Sequence, residues 1–165
     1  MQLKLLMTFI IILSQINYLI SIEHVSGMAY VTDGDTIKLD NIKIRLYGID
    51  APELGQYCNG VNMGEEARVY LKKLVENKEV NCQIHGTDMY KRKIGRCFLK
   101  SGDIEINKRM VEVGFAVNYH FYSKDYVKEE YLAKRKNIGI WLHQCMNPYK
   151  YRKQNRKKNR RKRDL

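Results

Sequence analysis

The 165-residue chain reads as a single α+β domain, rich in β-structure. Three observations predict that class. Two short runs of alternating polar and apolar residues meet at Asp40-Asn41, a two-residue hairpin turn. Two more such runs follow at 79–84 and 94–100. Between the pairs, residues 64–78 change to a helical period. Once the two ends are set aside, roughly 120 residues remain, enough for one core and too few for two.

Each element has its own justification. His24 to Val31 is the first strand, and the hairpin around Asp40-Asn41 supplies the second and third. Residues 54–63 carry Gly55 and Gly60 and little periodicity, so they read as a loop. From Gly64 to Lys78, Ala67, Leu71, Leu74 and Val75 share one helical face, with Glu65, Glu66, Lys72 and Lys73 turned to water. Residues 79–84 and 94–100 are strands four and five. Ile106, Met110 and Val113 mark a short helix that Gly114 stops. Asp125 is placed to cap a third helix running to about Lys136, with Val127, Tyr131 and Leu132 inward. Trp141 closes the core. No internal repeat is present. Five strands with a helix after the third are consistent with a five-stranded OB-fold barrel carrying about three packed helices.

The stretch from Val31 to Glu53 concentrates the chemistry. Asp33 and Asp35 precede the first run of the hairpin, and Asp50 and Glu53 follow the second. Ile42, Ile44 and Leu46 fall on one face of the second run, and Lys43, Arg45 and Tyr47 on the other. Antiparallel pairing about the turn brings Asp35 and Asp50 together at the open end, with the Arg45 guanidinium close by. Two neighbouring carboxylates repel unless a cation or a proton lies between them. Hard oxygen ligands suit Ca²⁺ or Mg²⁺. A cation beside an arginine fork is a recurring way to hold a phosphate. Taken alone, Asp33-Gly34-Asp35 reads first as an acidic turn.

The whole string resembles the staphylococcal nuclease (thermonuclease) family. The resemblance rests on Asp33-Gly34-Asp35-Thr36, Arg45, and Gly48-Ile49-Asp50-Ala51-Pro52-Glu53. A second motif, Asp88-Met89-Tyr90-Lys91-Arg92, is similar to that family's D-x-Y-G-R signature. The likeness continues through Gly95-Arg96-Cys97-Phe98 and Gly139-Ile140-Trp141, and covers about residues 26 to 142. It implies an OB-fold barrel with helices packed on it and hydrolysis of phosphodiesters in DNA or RNA.

The resemblance also implies roles. One Ca²⁺, or Mg²⁺ in its place, would be bound by Asp35, Asp50 and the main-chain carbonyl of Ala51, where the best-known members have Thr. Glu53 would bind the attacking water, and Arg45 and Arg92 would grip non-bridging oxygens. Asp33 would tune the metal ligands. Tyr90 and Tyr119 would flank a base or contact phosphate. The family usually has Gly where this chain has Lys91. If that position takes a positive φ, lysine costs about 1 kcal/mol.

Four cysteines, Cys58, Cys82, Cys97 and Cys145, allow three disulfide connectivities, with buried free thiols as the alternative. No pair has the C-x₂-C spacing of a zinc site. Cys82 and Cys97 lie in strand-like runs that could face each other, and similar positions occur in exported relatives of the family. Cys58 and Cys145 would then remain.

The two ends differ from the body. Residues 1–22 have Lys4 and then an apolar run, Leu5 to Leu13, before Ser14. They read as a secretory signal with a weak cleavage pattern at Ser21, or as an uncleaved signal anchor. Either places the rest, residues 23–146, outside the cytoplasm, secreted or periplasmic. Residues 147–165 read as a basic disordered tail. From Lys150 onward they hold +9 of the chain's +12 net charge. Such a tail attracts nucleic acid or an anionic surface nonspecifically.

These readings predict an exported, metal-dependent, sequence-nonspecific endonuclease, expected to be a monomer. The alternatives are an OB-fold module that binds nucleic acid without chemistry, and a surface protein with a structural Ca²⁺ site. A mere binder has no need of Asp35, Asp50, Glu53, Arg45 and Arg92 together, and a structural Ca²⁺ site leaves the arginines unexplained.

Overall fold

The computed structural model describes residues 22–163. Residues 1–21, which carry nearly all of the expected export signal, and residues 164–165 lie outside the described residues. The strands are β1 (Glu23–Asp33), β2 (Thr36–Leu39), β3 (Ile42–Leu46), β4 (Ile49–Asp50), β5 (Tyr57–Cys58), β6 (Val61–Asn62), β7 (Glu79–Thr87), β8 (Lys93–Leu99) and β9 (Val117–Asn118). The helices are α1 (Met63–Val75), α2 (Ile106–Glu112), α3 (Val127–Arg135) and α4 (Pro148–Arg163).

Five strands close a barrel in the order β1-β2-β3-β8-β7. All neighbours are antiparallel except β3 and β8, which run parallel with Arg45 beside Ile94. This is the expected OB-fold barrel. The hairpin turn is where the sequence puts it: Leu39 pairs with Ile42, and Asp40 takes φ 50. Alternation along the strands sends Ile37, Leu39, Ile44, Leu46, Val80, Cys82, Cys97 and Leu99 inward. α1 lays Ala67, Leu71 and Val75 over the same core. Each fully buried side chain of the Leu, Ile or Val type contributes about 1.5–3 kcal/mol.

Cys82 and Cys97 are register partners across β7 and β8 and are disulfide-bonded. Cys58 and Cys145 form a second disulfide. The second bond ties the small β5–β6 hairpin, within the region expected to be a plain loop, to the segment that leads into α4.

Two expectations need correcting. The third helix begins at Val127 and is not capped by Asp125, whose carboxylate pairs with Arg96 instead. Val127, Tyr131 and Leu132 are exposed, and Ala133 is the residue that α3 buries. Its apolar residues were too few to fix the inward face.

The expected disordered tail is a 16-residue helix, α4. Its Lys, Arg and Gln residues are good helix formers. Asn147 caps it, accepting from the Tyr149 and Lys150 N–H groups at 3.1 and 3.4 Å, and Pro148 stands at its start. Five i,i+4 pairs of like charge oppose it, at about 0.2–0.5 kcal/mol each. Side chains near its start hold it to the domain: Tyr151 Oη donates to the Gly55 carbonyl at 3.1 Å, and Phe121 packs on Tyr149 with ring centroids 4.8 Å apart. Charge density alone suggested disorder; the cap and these anchors are what that reading left out.

Candidate active site

One cleft, about 720 Å³ in volume, opens at the end of the barrel where β1 passes into β2 and β3 into β4. It is lined by Asp33, Asp35, Arg45, Ala51, Glu53, Tyr90, Arg92 and Tyr119, all named from the sequence, and by Arg152 of α4. Asp50 is completely buried and lies beneath two guanidinium groups rather than on the wall.

Strand register builds the centre. Thr36 pairs with Arg45, so the Asp35 side chain meets the arginine that precedes Leu46. Arg45 donates from Nη1 to Asp35 Oδ1 at 2.5 Å and from Nη2 to Asp50 Oδ1 at 3.0 Å. The guanidinium thus bridges the two carboxylates that the hairpin was expected to bring together. The second oxygen of Asp35 accepts the Ala51 N–H at 3.1 Å. β4 pairs with β9, and the Tyr119 N–H donates to the Gly48 carbonyl at 2.8 Å, which sets the Tyr119 ring 5.9 Å from the Arg45 guanidinium carbon.

Two glycines permit close approaches here. A Cβ on Gly34 would stand 2.8 Å from the Cβ atoms of both Ala51 and Ala67, so the acidic turn can sit against α1 only without one. A Cβ on Gly64 would stand 1.9 Å from the Glu53 carbonyl oxygen. The loop carrying Glu53 therefore rests directly on the first turn of α1. Gln56, itself buried, completes that support. Its Oε1 accepts the Glu53 N–H at 3.2 Å, and its Nε2 donates to the Met146 carbonyl at 2.7 Å.

Arg92 lines the same cleft, with Nη1 3.4 Å from the Oγ1 of Thr36. Asp88 holds it: Arg92 Nε donates to Asp88 Oδ2 at 2.8 Å, and Asp88 Oδ1 accepts the N–H groups of Tyr90 and Arg92 at 2.9 and 3.0 Å. Burial works against the charged form of Asp88, but these donors outweigh it and hold the carboxyl below its ordinary range. Lys91 takes φ 63, the left-handed angle that the usual glycine would accept freely. The hydrogen bonds of Asp88 keep the turn despite that cost, and Arg92 still faces the cleft, with Tyr90 5.6 Å from its guanidinium carbon.

The residue that sequence reasoning missed is Arg152. Its Nη1 donates to Asp50 Oδ1 and to Glu53 Oε1, both at 2.8 Å, and its Nη2 to Asp50 Oδ2 at 2.9 Å. One among ten basic residues near the C-terminus, it carried no distinguishing signal; only the flanking Tyr149 and Tyr151 hinted that the segment docks.

The electrostatics follow from crowding. Burial and the neighbouring Asp35 push Asp33 up to about 6. Burial also raises Asp50, with the hydrogen bond from Arg152 pulling the other way. Arg45 is held above its ordinary value because Asp35 and Asp50 outweigh the cost of its burial. Burial and the nearby Asp50 raise Tyr119.

Among the described residues no three His, Cys, Asp or Glu side chains are grouped as a ready metal cage. The chemistry of the donors nonetheless fits a hard cation. Asp35 and Asp50 offer carboxylate oxygens only, and both spend their charge on guanidinium groups. A divalent ion held there would take its remaining ligands from main-chain carbonyls, water or substrate.

Comparison with known proteins follows the same lines. A family model described as Staphylococcal nuclease homologue matches residues 43–143. The chain is 31% identical over 144 residues to the probable staphylococcal-like nuclease CAN4 of Oryza sativa subsp. japonica, covering 86% of this chain and 28% of that protein. It is 33% identical over 132 residues to an uncharacterized endonuclease of Haemophilus influenzae, covering 75% and 70%. It is 32% identical over 142 residues to the micrococcal nuclease of Shigella flexneri, covering 74% and 77%. The chain thus spans little more than a quarter of the rice protein and most of each bacterial one. The barrel, the order of its motifs and these matches agree: the chain belongs to the staphylococcal nuclease homologue family.

Proposed function

We propose that the protein is an exported nuclease that hydrolyses phosphodiester bonds within DNA or RNA strands, without sequence preference, using one bound Ca²⁺ or Mg²⁺. The observation that carries this reading is the Arg45 bridge between Asp35 and Asp50, with Glu53 and Arg92 on the same cleft. Two disulfides among the described residues suit an oxidising compartment and support export, whether secreted, periplasmic or anchored by the N-terminal segment. The protein is taken to act as a monomer.

Asp35, Asp50 and the Ala51 carbonyl would hold the ion. When bound, it would draw charge from the scissile phosphate and lower the pKa of a coordinated water. Glu53 orients the attacking water and takes its proton. For that, its carboxylate must exchange Arg152 for water. Arg45 donates to the non-bridging oxygens as negative charge grows on them, and its pairing with two carboxylates keeps the guanidinium in place beforehand. Arg92, aimed by Asp88, grips the phosphate from its place beside Thr36. A single such donor contributes about 3 kcal/mol to the transition state. Asp33 tunes the charge on Asp35 through its hydrogen bond to the Asp35 N–H, 3.1 Å long. Tyr90 and Tyr119 offer rings on which bases can stack, at about 1–3 kcal/mol each.

The contact of Arg152 with Asp50 and Glu53 favours the second reading, a barrel that binds nucleic acid without cutting it. A digestion assay on single-stranded and duplex DNA and on RNA separates the two. Cleavage with Ca²⁺ or Mg²⁺ that stops with chelator is the expected result. Binding without cleavage under every condition would leave only the module.

A further inference from the structure

We propose that α4 is a phosphate rail. A single stripe on it, Arg152, Arg156, Asn159 and Arg163, takes the sugar-phosphate backbone of the nucleic-acid strand where that strand leaves the cleft. The proposal rests on the nuclease reading above and specifies how far its substrate contact extends.

The stripe follows from spacing. Steps of four, three and four residues keep all four side chains within an arc of about 60° on an α-helix. From Arg152 to Arg163 the stripe runs about 17 Å along the axis. Its head lies inside the cleft, because Arg152 touches Asp50 and Glu53. Arg156 lines the cleft and also a second concavity of about 560 Å³, shared with Asn159, Lys162 and Arg163. The two hollows are therefore consecutive parts of one groove.

Charge complementarity selects the occupant. Residues 148–163 contain ten Lys or Arg and no acid. Their mutual repulsion is relieved by an anionic polymer lying along them, and the released counterions add to the binding. Arg and Asn suit phosphate oxygens, Arg through its two-pronged donor geometry. A lipid surface is the poorer match. A helix that lies on a membrane needs an apolar face, and beyond Tyr151 α4 has no apolar residue. When a strand and a divalent ion enter, Asp50 and Glu53 gain other partners, and Arg152 becomes the first cation of the rail.

Fluorescence anisotropy of the full chain with labelled thymidine oligomers tests this, in chelator so that nothing is cut. Oligomers of about 4 and about 16 nucleotides bracket the span of an OB fold. The double variant Arg156→Gln/Arg163→Gln is compared with Lys157→Gln/Arg161→Gln, which loses the same charge from the opposite face. The stripe variant is expected to bind the long oligomer about tenfold more weakly. Its slope of log affinity against log salt should fall by about 1.4, the value for two lost contacts to a single strand. Because Arg156 also lines the cleft, its affinity for the short oligomer should fall as well, but by no more than about threefold, and the off-stripe variant should lose less than about threefold on the long one. Equal losses in both variants, or no loss in either, would overturn the rail. So would a stripe variant that releases phosphatidylserine vesicles yet keeps the long oligomer. If the unaltered protein cuts DNA while the two variants behave alike, the rail fails and the nuclease reading stands. If it neither cuts nor binds any oligomer, both fail.

Discussion

Arg45 and Arg152 reach the same carboxylate by different routes. Arg45 grows from the middle of a barrel strand, and its neighbours on both sides are fixed by hydrogen-bonded register. Arg152 arrives from a helix joined to the barrel by a few contacts near its start. Both make bonds of 3.0 Å or less to Asp50. Distance alone therefore does not separate a fixed part of the site from a removable one. What separates them is the backbone behind each guanidinium: paired strands on both sides for Arg45, a helix held by a few contacts near its start for Arg152.

The largest effect should come from Arg45→Lys. A lysine keeps the charge but cannot bridge Asp35 and Asp50 with two prongs. Turnover on DNA is expected to fall by about a hundredfold or more, roughly 3 kcal/mol, with the melting temperature little changed. Turnover near that of the unaltered protein would show that the bridge matters only for folding.

Arg152→Gln tests the other side of the contrast. Removing a cation from Asp50 and Glu53 should let Ca²⁺ bind about three- to tenfold more tightly in calorimetric titration without substrate, an effect of about 1 kcal/mol. Unchanged or weaker Ca²⁺ binding would mean that guanidinium and metal do not compete for these carboxylates.

The smallest effect concerns Asp88, which aims Arg92 much as Asp35 and Asp50 aim Arg45. Its carboxyl is held below the ordinary 3.8 in the folded protein. A depressed acid adds stability that is present above its unfolded value and is lost as pH falls through the folded one. The gap in melting temperature between the unaltered protein and Asp88→Asn should hold from neutral pH down to about 4 and close below it. A gap that stays constant under acid would assign the tether to neutral hydrogen bonds alone.

Legibility in the sequence followed the range of the forces involved. Alternation and one turn dipeptide were enough for β2 and β3, and hence for the meeting of Asp35 with Asp50, because register is a local property. The Asp88 to Arg92 turn was legible through its resemblance to a family motif, which raised a positive angle at Lys91 as a condition that the structure meets at φ 63. The seating of Glu53 was not. It depends on Gly64 and Gln56, whose partners are chosen by tertiary packing. Arg152 was hidden further still. A uniform run of cations carries no period, so nothing in it marks which residue turns inward. The helix start rests on Asn147 and Pro148, a local signal that the reading of the tail from charge alone did not use. α3 failed in the opposite sense: its scattered apolar residues looked like an inward face, but they are exposed and the helix buries Ala133 instead.

The bond between Cys58 and Cys145 has a consequence for where the molecule can be assembled. One end lies five residues past Glu53, the other three residues before Pro148, so a single sulfur link leashes the loop that carries Glu53 to the root of the cationic arm. The barrel keeps its own link between β7 and β8. Thiol reductants act on both links; with the outer one open, the arm would be left to noncovalent holds such as Tyr151 on the Gly55 carbonyl and Tyr149 against Phe121, and a chain made among reduced thiols would start from that looser state.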